Sequence, residues 1–517
     1  MERSEIDQRF AQYRDLLGEA EWCAMGDALE RPLPATFWTH PKRATPSQVA
    51  AAFERDGHHL RALPYASGGY ASARPMRWGR RIEFRTGLIH LQEAASMLPP
   101  LALKPEAGEL VLDLCAAPGG KSAQLALMME NRGTLVVNDL SFSRLRALRA
   151  TQERLGLRNM VLCAQEGQQL LRGHRGVFDK VLVDAPCSCE GTLRKRGRWT
   201  YEPDEGEFKK RLIETQRALL TQALKLTRPG GRVVYSTCTL DPWENEGVID
   251  AVLSAWSREG AQPPVYIEPM SFPELIASAG IRSWKGRAFL EGIENTLRVY
   301  PHQNDSGGFF LASLRIGEDA SWSAEESRRG WSSPSVVEGK HQEEMLKWVE
   351  RAHGISQEKW ADIQLLQGNQ RALSAVSSDL LLPPTRYQVA GLPSIYTRGA
   401  VPRLTSGASL EWGRWATRSL CELTERAQVD HYYMGADQPI SKSEAEEAGV
   451  CIVRHQGRAL GLGYLERSSQ GEYVLKSEYP KRVRLAEGCS AFEGPDEGER
   501  VQGPERPPIH SVELLGE

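Results

Sequence analysis

Hydrophobic positions between residues 109 and 240 form short apolar runs that alternate with longer stretches of helical periodicity. This alternation is typical of a parallel β-sheet whose strands are joined by crossover helices. The apolar runs predict five strands: Leu110–Leu114, Thr134–Asn138, Met160–Ala164, Phe178–Asp184 and Arg232–Ser236. The amphipathic stretches predict four helices: Ser122–Asn131, Ser141–Leu155, Phe208–Leu226 and Pro242–Ala255. The whole pattern predicts a doubly wound, Rossmann-like α/β domain.

Two further apolar runs, Thr296–Tyr300 and Gly308–Arg315, are joined by the polar turn His302–Gly307. We expect them to form an antiparallel pair that closes the sheet. The α/β domain is then predicted to span residues 101–317.

The first hundred residues combine a short helical opening with a basic, aromatic-rich segment. Lys and Arg attract phosphates and aromatic rings stack on bases, so we assign residues 1–100 to an N-terminal α/β RNA-binding region. A solvated face with half-buried Trp anchors explains the same composition equally well. The residues concerned are Trp38, His40, Lys42, Arg43, Arg74, Arg77, Trp78, Arg80, Arg81 and Arg85.

The chain after residue 317 changes composition twice. Residues 318–343 are rich in Ser, Glu and Gly without periodicity, which predicts a linker. Residues 344–485 regain a globular composition and predict a small, largely β module, with strands near Val450–His455, Gly461–Glu466 and Glu472–Leu475. Residues 486–517 predict a disordered acidic tail, and we expect truncation after Leu485 to leave activity and melting temperature nearly intact.

Charge and composition narrow the class of protein. The chain has 517 residues, 64 Lys and Arg against 67 Asp and Glu, and a net charge of −3. The tail holds eight acids and two bases, so it carries −6 and the preceding residues carry +3. Nine cysteines are too few for a disulfide scaffold, and no apolar run is long enough to span a membrane. We expect a cytoplasmic, monomeric protein that does not associate with membranes.

The predicted first strand leads into a loop of small residues, Cys115-Ala116-Ala117-Pro118-Gly119-Gly120-Lys121, and then into a helix. Small residues let the backbone approach a ligand, and the helix N-terminus offers free N–H groups to it. A dinucleotide would need Gly-x-Gly-x-x-Gly, which is absent. A P-loop fits Gly120-Lys121-Ser122, and Val181–Asp184 resembles its magnesium-holding strand, but Cys115 takes the place of its first glycine.

S-adenosylmethionine is the third candidate ligand of this loop. Its ribose requires a carboxylate at the end of the second strand, and Asp139 stands there. Asp139 can equally serve as the N-cap of the helix predicted at Ser141–Leu155. Together the loop and the carboxylate favour a cofactor that carries a nucleoside.

Two cysteine motifs follow the last two parallel strands: Asp184-Ala185-Pro186-Cys187-Ser188-Cys189 and Ser236-Thr237-Cys238-Thr239. The carboxyl ends of parallel strands face one crevice, so Asp184, Cys187 and Cys238 should all approach the cofactor. Carbon 5 of a pyrimidine can be methylated once a thiolate has added to carbon 6. The chemistry then needs a polar group at nitrogen 3 and a base, which one carboxylate and two cysteines can supply.

Other roles are open to these cysteines. A lone cysteine is more commonly a small buried hydrophobic residue. A zinc site would use Cys187, Cys189 and Cys238, but the one-residue gap is not the usual spacing and no fourth ligand is evident, so we predict no metal. Methylation of an exocyclic amine would require a polar-Pro-Pro-aromatic motif where Asp184–Cys187 stands.

These motifs resemble the Nol/Nop/Sun family of RNA cytosine-C5 methyltransferases. The C-terminal segments Gly461–Gly463 and Tyr479–Lys481 are similar to the PUA-like RNA-binding extension of bacterial small-subunit rRNA members. The resemblance covers about residues 20–485. The other matching segments are His90–Met97, Cys115–Lys121, Asp184–Thr192, Thr237–Leu240, Glu244–Glu246, Arg298–His302 and Gly308–Phe310.

The resemblance implies roles for the matching residues. Cys238 would be the nucleophile, Cys187 would assist product release, and Asp184 would contact the cytosine ring, with Lys121 as a further catalytic residue. Glu166 takes the place of the family's usual aspartate, Cys189 that of a usual glycine, and Phe37–His40 departs from the usual Arg-Val-Asn pattern. The implied cofactor-binding residues are Cys115, Ala116, Ala117, Pro118, Gly119, Gly120, Lys121, Asp139, Arg144, Glu166 and Asp184.

The predicted function is S-adenosylmethionine-dependent methylation of cytosine C5 in small-subunit (16S) rRNA. The base would have to leave its helix to reach the crevice. Three alternatives stay open: the same chemistry on tRNA, a non-catalytic RNA-binding assembly factor, and a P-loop nucleotide hydrolase. The presence of both predicted catalytic cysteines, Cys187 and Cys238, argues against a non-catalytic assembly factor.

Overall fold

The N-terminal region is built around a small antiparallel sheet. The computed structural model describes residues 3–72, 74, 76–196, 206–258, 263–318, 327–337, 339–367, 372–399, 401–441, 443–445, 447–468 and 471–492. The strands pair in the order β2-β3-β1-β4. The first elements are α1 (Arg3–Phe10), α2 (Arg14–Glu30), β1 (Ala35–Thr39), α3 (Pro46–Arg55), β2 (Leu60–Ala62), β3 (Gly69–Ser72), α4 (Ile82–Arg85) and β4 (Ile89–Leu91).

The central region is the predicted α/β domain. All five predicted parallel strands and all four predicted helices are present, with their ends shifted by at most five residues. The helices are α5 (Leu98–Leu103), α6 (Gly120–Met128), α7 (Phe142–Leu155), α8 (Leu193–Arg196), α9 (Gly206–Leu226), α10 (Glu246–Arg258) and α11 (Pro301–Asn304). The strands are β5 (Leu110–Asp113), β6 (Thr134–Asn138), β7 (Met160–Cys163), β8 (Phe178–Asp184), β9 (Thr227–Thr237), β10 (Val265–Glu268), β11 (Ser278–Ala279), β12 (Ser283–Trp284), β13 (Arg287–Ala288), β14 (Leu297–Val299) and β15 (Phe309–Ile316).

The main sheet runs in the order β11-β14-β15-β9-β8-β5-β6-β7 within the described residues, and β10 pairs with β15. Strands β7, β6, β5, β8 and β9 are parallel, and β14 and β15 form the predicted antiparallel pair. Val111 of β5 packs in the core on one face of the sheet, whereas Leu110 and Leu112 pack in the core on the other. Because both faces are buried, these strands are continuous apolar runs.

The C-terminal region contains two sheets and also completes the main one. One sheet has the order β16-β17-β19-β20 and the other β21-β23-β24-β25-β22, while β18 pairs with β7 at the edge of the α/β sheet. The elements are α12 (Gly339–His353), β16 (Ile363–Gln367), β17 (Ala372–Ser377), β18 (Val389–Ala390), β19 (Leu392–Tyr396), β20 (Arg403–Leu404), α13 (Ser406–Trp412), β21 (Leu420–Glu422), α14 (Arg426–Met434), β22 (Gln438–Ile440), β23 (Gly449–His455), β24 (Arg458–Arg467) and β25 (Tyr473–Ser477).

The prediction that residues 318–343 form a linker is wrong where the structure describes them. Helix α12 begins at Gly339, inside the predicted linker. Trp331 packs edge-on against Phe178 of β8, and Ser332 pairs with Leu382. Residues 319–326 and 338 lie outside the described part. The segment therefore packs on the α/β domain, because its few apolar residues find partners there.

The prediction of a wholly disordered tail is also wrong at its start. Ala491 is fully buried, and Ala491 N–H and the Ser490 hydroxyl donate hydrogen bonds to the Asp430 carboxylate. Ile82 N–H donates to the Ala491 carbonyl. Residues 493–517 of the predicted tail lie outside the described part of the chain. The ordered C-terminal region therefore extends at least to Phe492.

Some arginines of the basic N-terminal segment form ion pairs with carboxylates of the protein. Arg81, only 1% exposed, forms ion pairs with Asp56 and Glu83. Arg43 forms an ion pair with Glu411 of α13. The interpretation of Arg43 and Arg81 as part of a phosphate-binding surface is therefore wrong, because carboxylates of the protein already pair with them. Lys42, Arg74 and Arg77 of the same segment are exposed, so the N-terminal RNA-binding region stays a prediction. None of the described helices is long and apolar enough to cross a membrane.

Candidate active site

The loop between β5 and α6 turns tightly at its glycines. Gly119 has a φ of 104°, a conformation that favours glycine, and a Cβ there would lie 2.7 Å from Leu148 Cγ of α7. Helix α6 begins at Gly120, so its free N–H groups lie at the end of the loop. The segment Cys115–Lys121 thus has the small-residue turn and helix start that suit a nucleoside-bearing ligand.

Asp139, which follows β6, binds this loop. Its Oδ2 accepts a hydrogen bond from Ala117 N–H at 3.0 Å, and its Oδ1 accepts one from Ser141 N–H at 2.9 Å. Ser141 itself is the N-cap of α7, so the alternative role of Asp139 as N-cap is wrong. Arg144 lies 3.5 Å from the Asp139 carboxylate and donates to the Ala117 carbonyl. Each carboxylate oxygen keeps a further lone pair for a ligand.

Asn138 is a site residue that the sequence analysis did not single out. Its Nδ2 donates to the carbonyls of Leu114 at 3.2 Å and Gln165 at 3.0 Å, and its Oδ1 accepts from Gln165 N–H at 3.1 Å. One buried amide therefore joins the loops that follow β5 and β7. The available signal was a polar residue that ends a fully apolar strand.

Asp113, the last residue of β5, was also not singled out. It is fully buried, and its Oδ2 accepts a hydrogen bond from the Ser122 hydroxyl at 2.6 Å, while its Oδ1 has no hydrogen-bond partner among the described residues. Burial raises the pKa of Asp113 to about 7, although the Ser122 hydrogen bond opposes this shift. Asp113 therefore fixes the start of α6 from beneath the loop through Ser122.

Glu166 is exposed on the turn after β7, where the C-terminal region contacts the α/β domain. The neighbouring Gln165 donates from Nε2 to Thr385 Oγ1 at 2.8 Å and to the Arg386 carbonyl at 2.9 Å. The sequence gives no sign of this contact, because the two segments lie 220 residues apart.

Lys121 and Asp184 form an ion pair at the carboxyl end of the sheet. Lys121 Nζ donates to Asp184 Oδ2 at 2.7 Å, and Ser236 Oγ donates to Asp184 Oδ1 at 2.9 Å. Burial lowers the pKa of Lys121, but the Asp184 carboxylate outweighs burial and raises it above its usual value. Lys121 is therefore a fixed positive charge in the crevice.

The two predicted catalytic cysteines meet beside this ion pair. Cys187 Sγ lies 3.4 Å from Cys238 Sγ, and Cys189 Sγ lies 4.0 Å from Cys187 Sγ. Contacts with the other two thiols, together with burial, raise the pKa of Cys187 well above its usual value. The hydrogen bond from Cys187 lowers the pKa of Cys238, but Cys189 and burial outweigh it, and the pKa stands well above normal. Both thiols are therefore protonated near neutral pH.

Two glycines bring the cysteine loops together. Gly191 N–H donates to the Cys238 carbonyl at 2.9 Å, and Gly308 N–H donates to the Gly191 carbonyl at 2.9 Å. A Cβ at Gly191 would lie 2.1 Å from the Gly308 carbonyl oxygen. Only glycine permits this approach, which joins the loops after β8 and β9 to the start of β15.

Buried carboxyls lie behind the thiols. Glu244 Oε2 accepts hydrogen bonds from Ser188 N–H at 3.0 Å and Gln216 Nε2 at 2.8 Å. Glu190 accepts one from the hydroxyl of Tyr13, in the N-terminal region, at 2.7 Å. Burial, with the nearby Asp241, raises the pKa of Glu244 to about 7 and that of Glu190 to about 8. Tyr13 was not predicted as a site residue, because nothing in its sequence surroundings links it to Glu190.

Comparisons with known proteins agree with this geometry. A model of the 16S rRNA methyltransferase RsmB/F family matches residues 100–315. Ribosomal RNA small subunit methyltransferase F of Shewanella loihica is 30% identical over 442 residues, which cover 84% of this chain and 86% of that protein. The protein of the same name from Aeromonas hydrophila is 31% identical over 457 residues, covering 84% and 88%.

Other relatives cover a smaller share of this chain. The tRNA (cytosine(49)-C(5))-methyltransferase of Pyrococcus abyssi is 34% identical over 291 residues, which cover 56% of this chain and 89% of that protein. The solved structure of a methyltransferase homologue from Pyrococcus horikoshii is 34% identical, covers 59% of this chain and 93% of its own, and superposes with a TM-score of 0.51. The resemblance inferred from the sequence motifs is confirmed, and the P-loop hydrolase alternative is wrong.

Proposed function

Since this chain belongs to the RsmB/F family of 16S rRNA methyltransferases, we propose that it methylates a cytosine of small-subunit rRNA through a covalent bond from Cys238. The chain is an S-adenosylmethionine-dependent RNA (cytosine-5-)-methyltransferase. The covalent step is supported chiefly by one observation: Cys187 and Cys238 lie 3.4 Å apart at the carboxyl ends of β8 and β9. Two adjacent thiols beside a fixed cation suit addition and elimination at a pyrimidine ring.

The loop after β5 fits S-adenosylmethionine. The loop Cys115–Lys121 would lie against its methionine part, Asp139 would accept hydrogen bonds from its ribose hydroxyls, and the exposed Glu166 would face its adenine. Arg144 would hold the loop through Ala117 and Asp139. The free N–H groups at the start of α6 supply polar contacts for such a ligand. When bound, the cofactor supplies an electrophilic methyl group.

Cys238 would add to carbon 6 of the cytosine after losing its proton. The positive charge of Lys121 interacts with Cys238 and favours its thiolate, which lowers the cost of losing the proton while the thiol pKa stays above its usual value. Asp184, held by Lys121 and Ser236, would contact the ring at nitrogen 3, where charge develops. The adduct makes carbon 5 electron-rich and ready to accept a methyl group.

Cys187 would assist product release. After methyl transfer, the carbon 5 proton must leave and the bond between carbon 6 and the Cys238 sulfur must break, which restores the aromatic ring and the thiolate. Cys187 lies within contact of Cys238, so once its own proton has passed to solvent its sulfur can take up the carbon 5 proton beside this bond. Loss of Cys187 should therefore trap the adduct, whereas loss of Cys238 should prevent it.

A denaturing gel tests this mechanism. Cys187→Ala should give a shifted protein–RNA band with small-subunit rRNA and S-adenosylmethionine, and the Cys187→Ala/Cys238→Ala double variant should give none. Cys238→Ser should bind the cofactor but lose methyl transfer, and the exposed Cys23→Ala serves as a control with normal turnover. A Cys238→Ser enzyme with wild-type turnover would contradict the nucleophile assignment. Failure of Cys187→Ala to form an adduct on both rRNA and tRNA would favour a non-catalytic assembly factor.

The share of this chain that each relative covers favours ribosomal RNA over tRNA as the substrate. Both rRNA relatives share 84% of this chain, whereas the tRNA relative shares 56%. The rRNA relatives therefore match more of the chain than the tRNA relative does. We expect residues 344–485 to act as a PUA-like RNA-binding module.

The surface that supports RNA binding is a cleft between α7 and the C-terminal region. The cleft encloses about 800 Å³ and is lined by Arg149, Tyr396, Arg398, Lys481 and Arg482, among others. Tyr396 is 45% exposed, so its ring is available for stacking on a base. Glu153 also lines the cleft and pairs with Arg149 at 3.0 Å, so Arg398, Lys481 and Arg482 are the cations that would contact phosphates. RNA bound here would lie across both the α/β domain and the C-terminal region.

Charge reversal in the cleft tests this placement. Arg398→Glu should weaken binding of a 16S rRNA fragment about tenfold at low salt and reduce the salt dependence by about one phosphate contact, since one cation is lost. Lys340→Glu, on the exposed start of α12, is the matched control. Binding can be followed by fluorescence anisotropy at two salt concentrations. Equal affinities of Arg398→Glu and Lys340→Glu would place the RNA elsewhere.

A further inference from the structure

The crevice contains three cysteine sulfurs, one more than the methylation mechanism uses. Cys187 Sγ lies 3.4 Å from Cys238 Sγ and 4.0 Å from Cys189 Sγ, and all three sulfurs lie within 4.8 Å of one another. Among the described residues, these three alone form a cluster with the spacing of metal ligands. Although the spacing of these cysteines in the sequence predicts no metal, their cluster in space favours one. We propose that Cys187, Cys189 and Cys238 together bind one thiophilic divalent cation, for which Zn²⁺ is the natural candidate.

The separations of the sulfurs suit a single ion. Zinc–sulfur bonds are about 2.3 Å long, which at tetrahedral angles places two sulfurs about 3.8 Å apart. The observed distances of 3.4 and 4.0 Å lie on either side of this value. The third pair, Cys189 and Cys238, lies within 4.8 Å, so side-chain rotations would have to draw these two sulfurs together around one centre. The fourth position would be left to water, as in zinc sites with three protein ligands.

The conformation of Cys189 supports a separate role for its thiol. Cys189 has a φ of 61°, a left-handed conformation that a residue with a side chain adopts at a cost in conformational energy. Its sulfur donates to the Cys187 carbonyl at 3.2 Å and contacts Cys187 Sγ, so the side chain is directed at the other thiols. The methyl-transfer steps give Cys189 no task, whereas a metal site uses its sulfur directly.

The charges of the crevice also fit a bound cation. On binding, each thiol releases its proton to solvent and donates a sulfur electron pair to the ion, without any change of oxidation state. Three thiolates and one divalent ion carry one net negative charge, and the charge of the nearby Lys121 ammonium is already balanced by the Asp184 carboxylate. The ion therefore leaves the crevice far less negative than three thiolates without it would.

Metal binding would block the enzyme, a consequence that rests on the proposed function. The ion would occupy the electron pair with which Cys238 attacks the cytosine and would also remove Cys187 from product release. The metal-bound protein should therefore be inactive and should recover when a chelator removes the ion. Metal binding itself does not depend on the methylation mechanism.

Titration of the reduced, full-length protein with Co²⁺ tests the site. Thiolate ligands give Co²⁺ a charge-transfer absorption in the near ultraviolet, and we expect one equivalent to bind wild type and Zn²⁺ to remove the band. Cys189→Gly should weaken binding at least tenfold, while its left-handed backbone conformation suits glycine and preserves the fold. Cys489→Ala, whose thiol lies in the C-terminal region, is the matched control and should bind like wild type.

Two results would overturn the proposal: no charge-transfer band in wild type, or an undiminished band in Cys189→Gly. A melting curve shows whether Cys189→Gly folds, and Cys189→Ser replaces it in the same titration if it does not. In the activity assay, Zn²⁺ should inhibit wild type but leave Cys189→Gly active at the same concentration. If the metal-free protein shows no methyl transfer, the proposed function is contradicted. The cobalt band still shows whether the three cysteines bind a metal.

Discussion

Individual side chains around the thiols carry protons that they would lose in water. Burial, the largest cause in each case, raises the pKa of Asp113 and Glu244 to about 7 and that of Glu190 to about 8. Neutral carboxyls do not repel a thiolate or an RNA phosphate. The crevice therefore keeps its negative charge low, with Lys121 as the cation beside Cys238.

The protonated carboxyls should make the protein less stable as the pH rises. A folded-state pKa above the ordinary value means that the native state binds more protons than the unfolded chain, so the stabilisation present at pH 5 is lost as the pH passes about 7. Glu244→Gln mimics the neutral carboxyl and should abolish up to about 3 kcal/mol of this loss. Melting temperatures at pH 5 and pH 8 measure it, with the exposed Glu291→Gln as control. An equal drop in Glu244→Gln and wild type would contradict this origin.

At the scale of elements, the loops after the parallel strands bring the chemistry together. Strand β5 leads to the cofactor loop, β6 to Asp139, β8 to Cys187 and β9 to Cys238. Because the strands are parallel, all four loops lie at one edge of the sheet. The antiparallel β15 then contributes Gly308, which precedes it and approaches Gly191 closely enough to exclude any side chain. The positions of the two cysteines are therefore set by strand order and by this glycine contact.

At the scale of the whole molecule, the N- and C-terminal regions hold each other and the α/β domain. Arg43 pairs with Glu411, and Arg85 donates to the Tyr479 hydroxyl and to the Val483 carbonyl. Strand β18 extends the main sheet beside β7. The flanking regions are therefore packed parts of one structure, and a change at their contacts should affect the stability of the whole.

The end of the ordered C-terminal region is a test of this packing. Truncation after Leu485 removes the buried Ala491 and its hydrogen bonds to Asp430 and Ile82, so the melting temperature should fall by several degrees. Truncation after Phe492 keeps every one of these contacts and is the matched control. Differential scanning calorimetry of both forms measures the effect. Identical melting temperatures would show that residues 486–492 add no stability.

The sequence alone determined the strands, the helices and the local motifs of the site. Apolar runs predict parallel strands because a sheet buried on both faces tolerates few polar residues. The loops that follow these strands then lie at one edge of the sheet. The pattern of strands and loops is therefore sufficient to place Cys115–Lys121, Asp184, Cys187 and Cys238 near one another. Family membership also followed from these motifs, because their combination is specific.

Only the tertiary structure decided which side chains meet across long distances. Tyr13 reaches Glu190 and Gln165 reaches Thr385 across 177 and 220 residues, and no local periodicity records such contacts. Arg43 and Arg81 were misassigned for the same reason, since a run of basic residues does not reveal whether a carboxylate elsewhere in the chain pairs with one of them. The approach of Cys189 to the other two sulfurs likewise depends on a left-handed backbone conformation, which cysteine as a residue type does not predict.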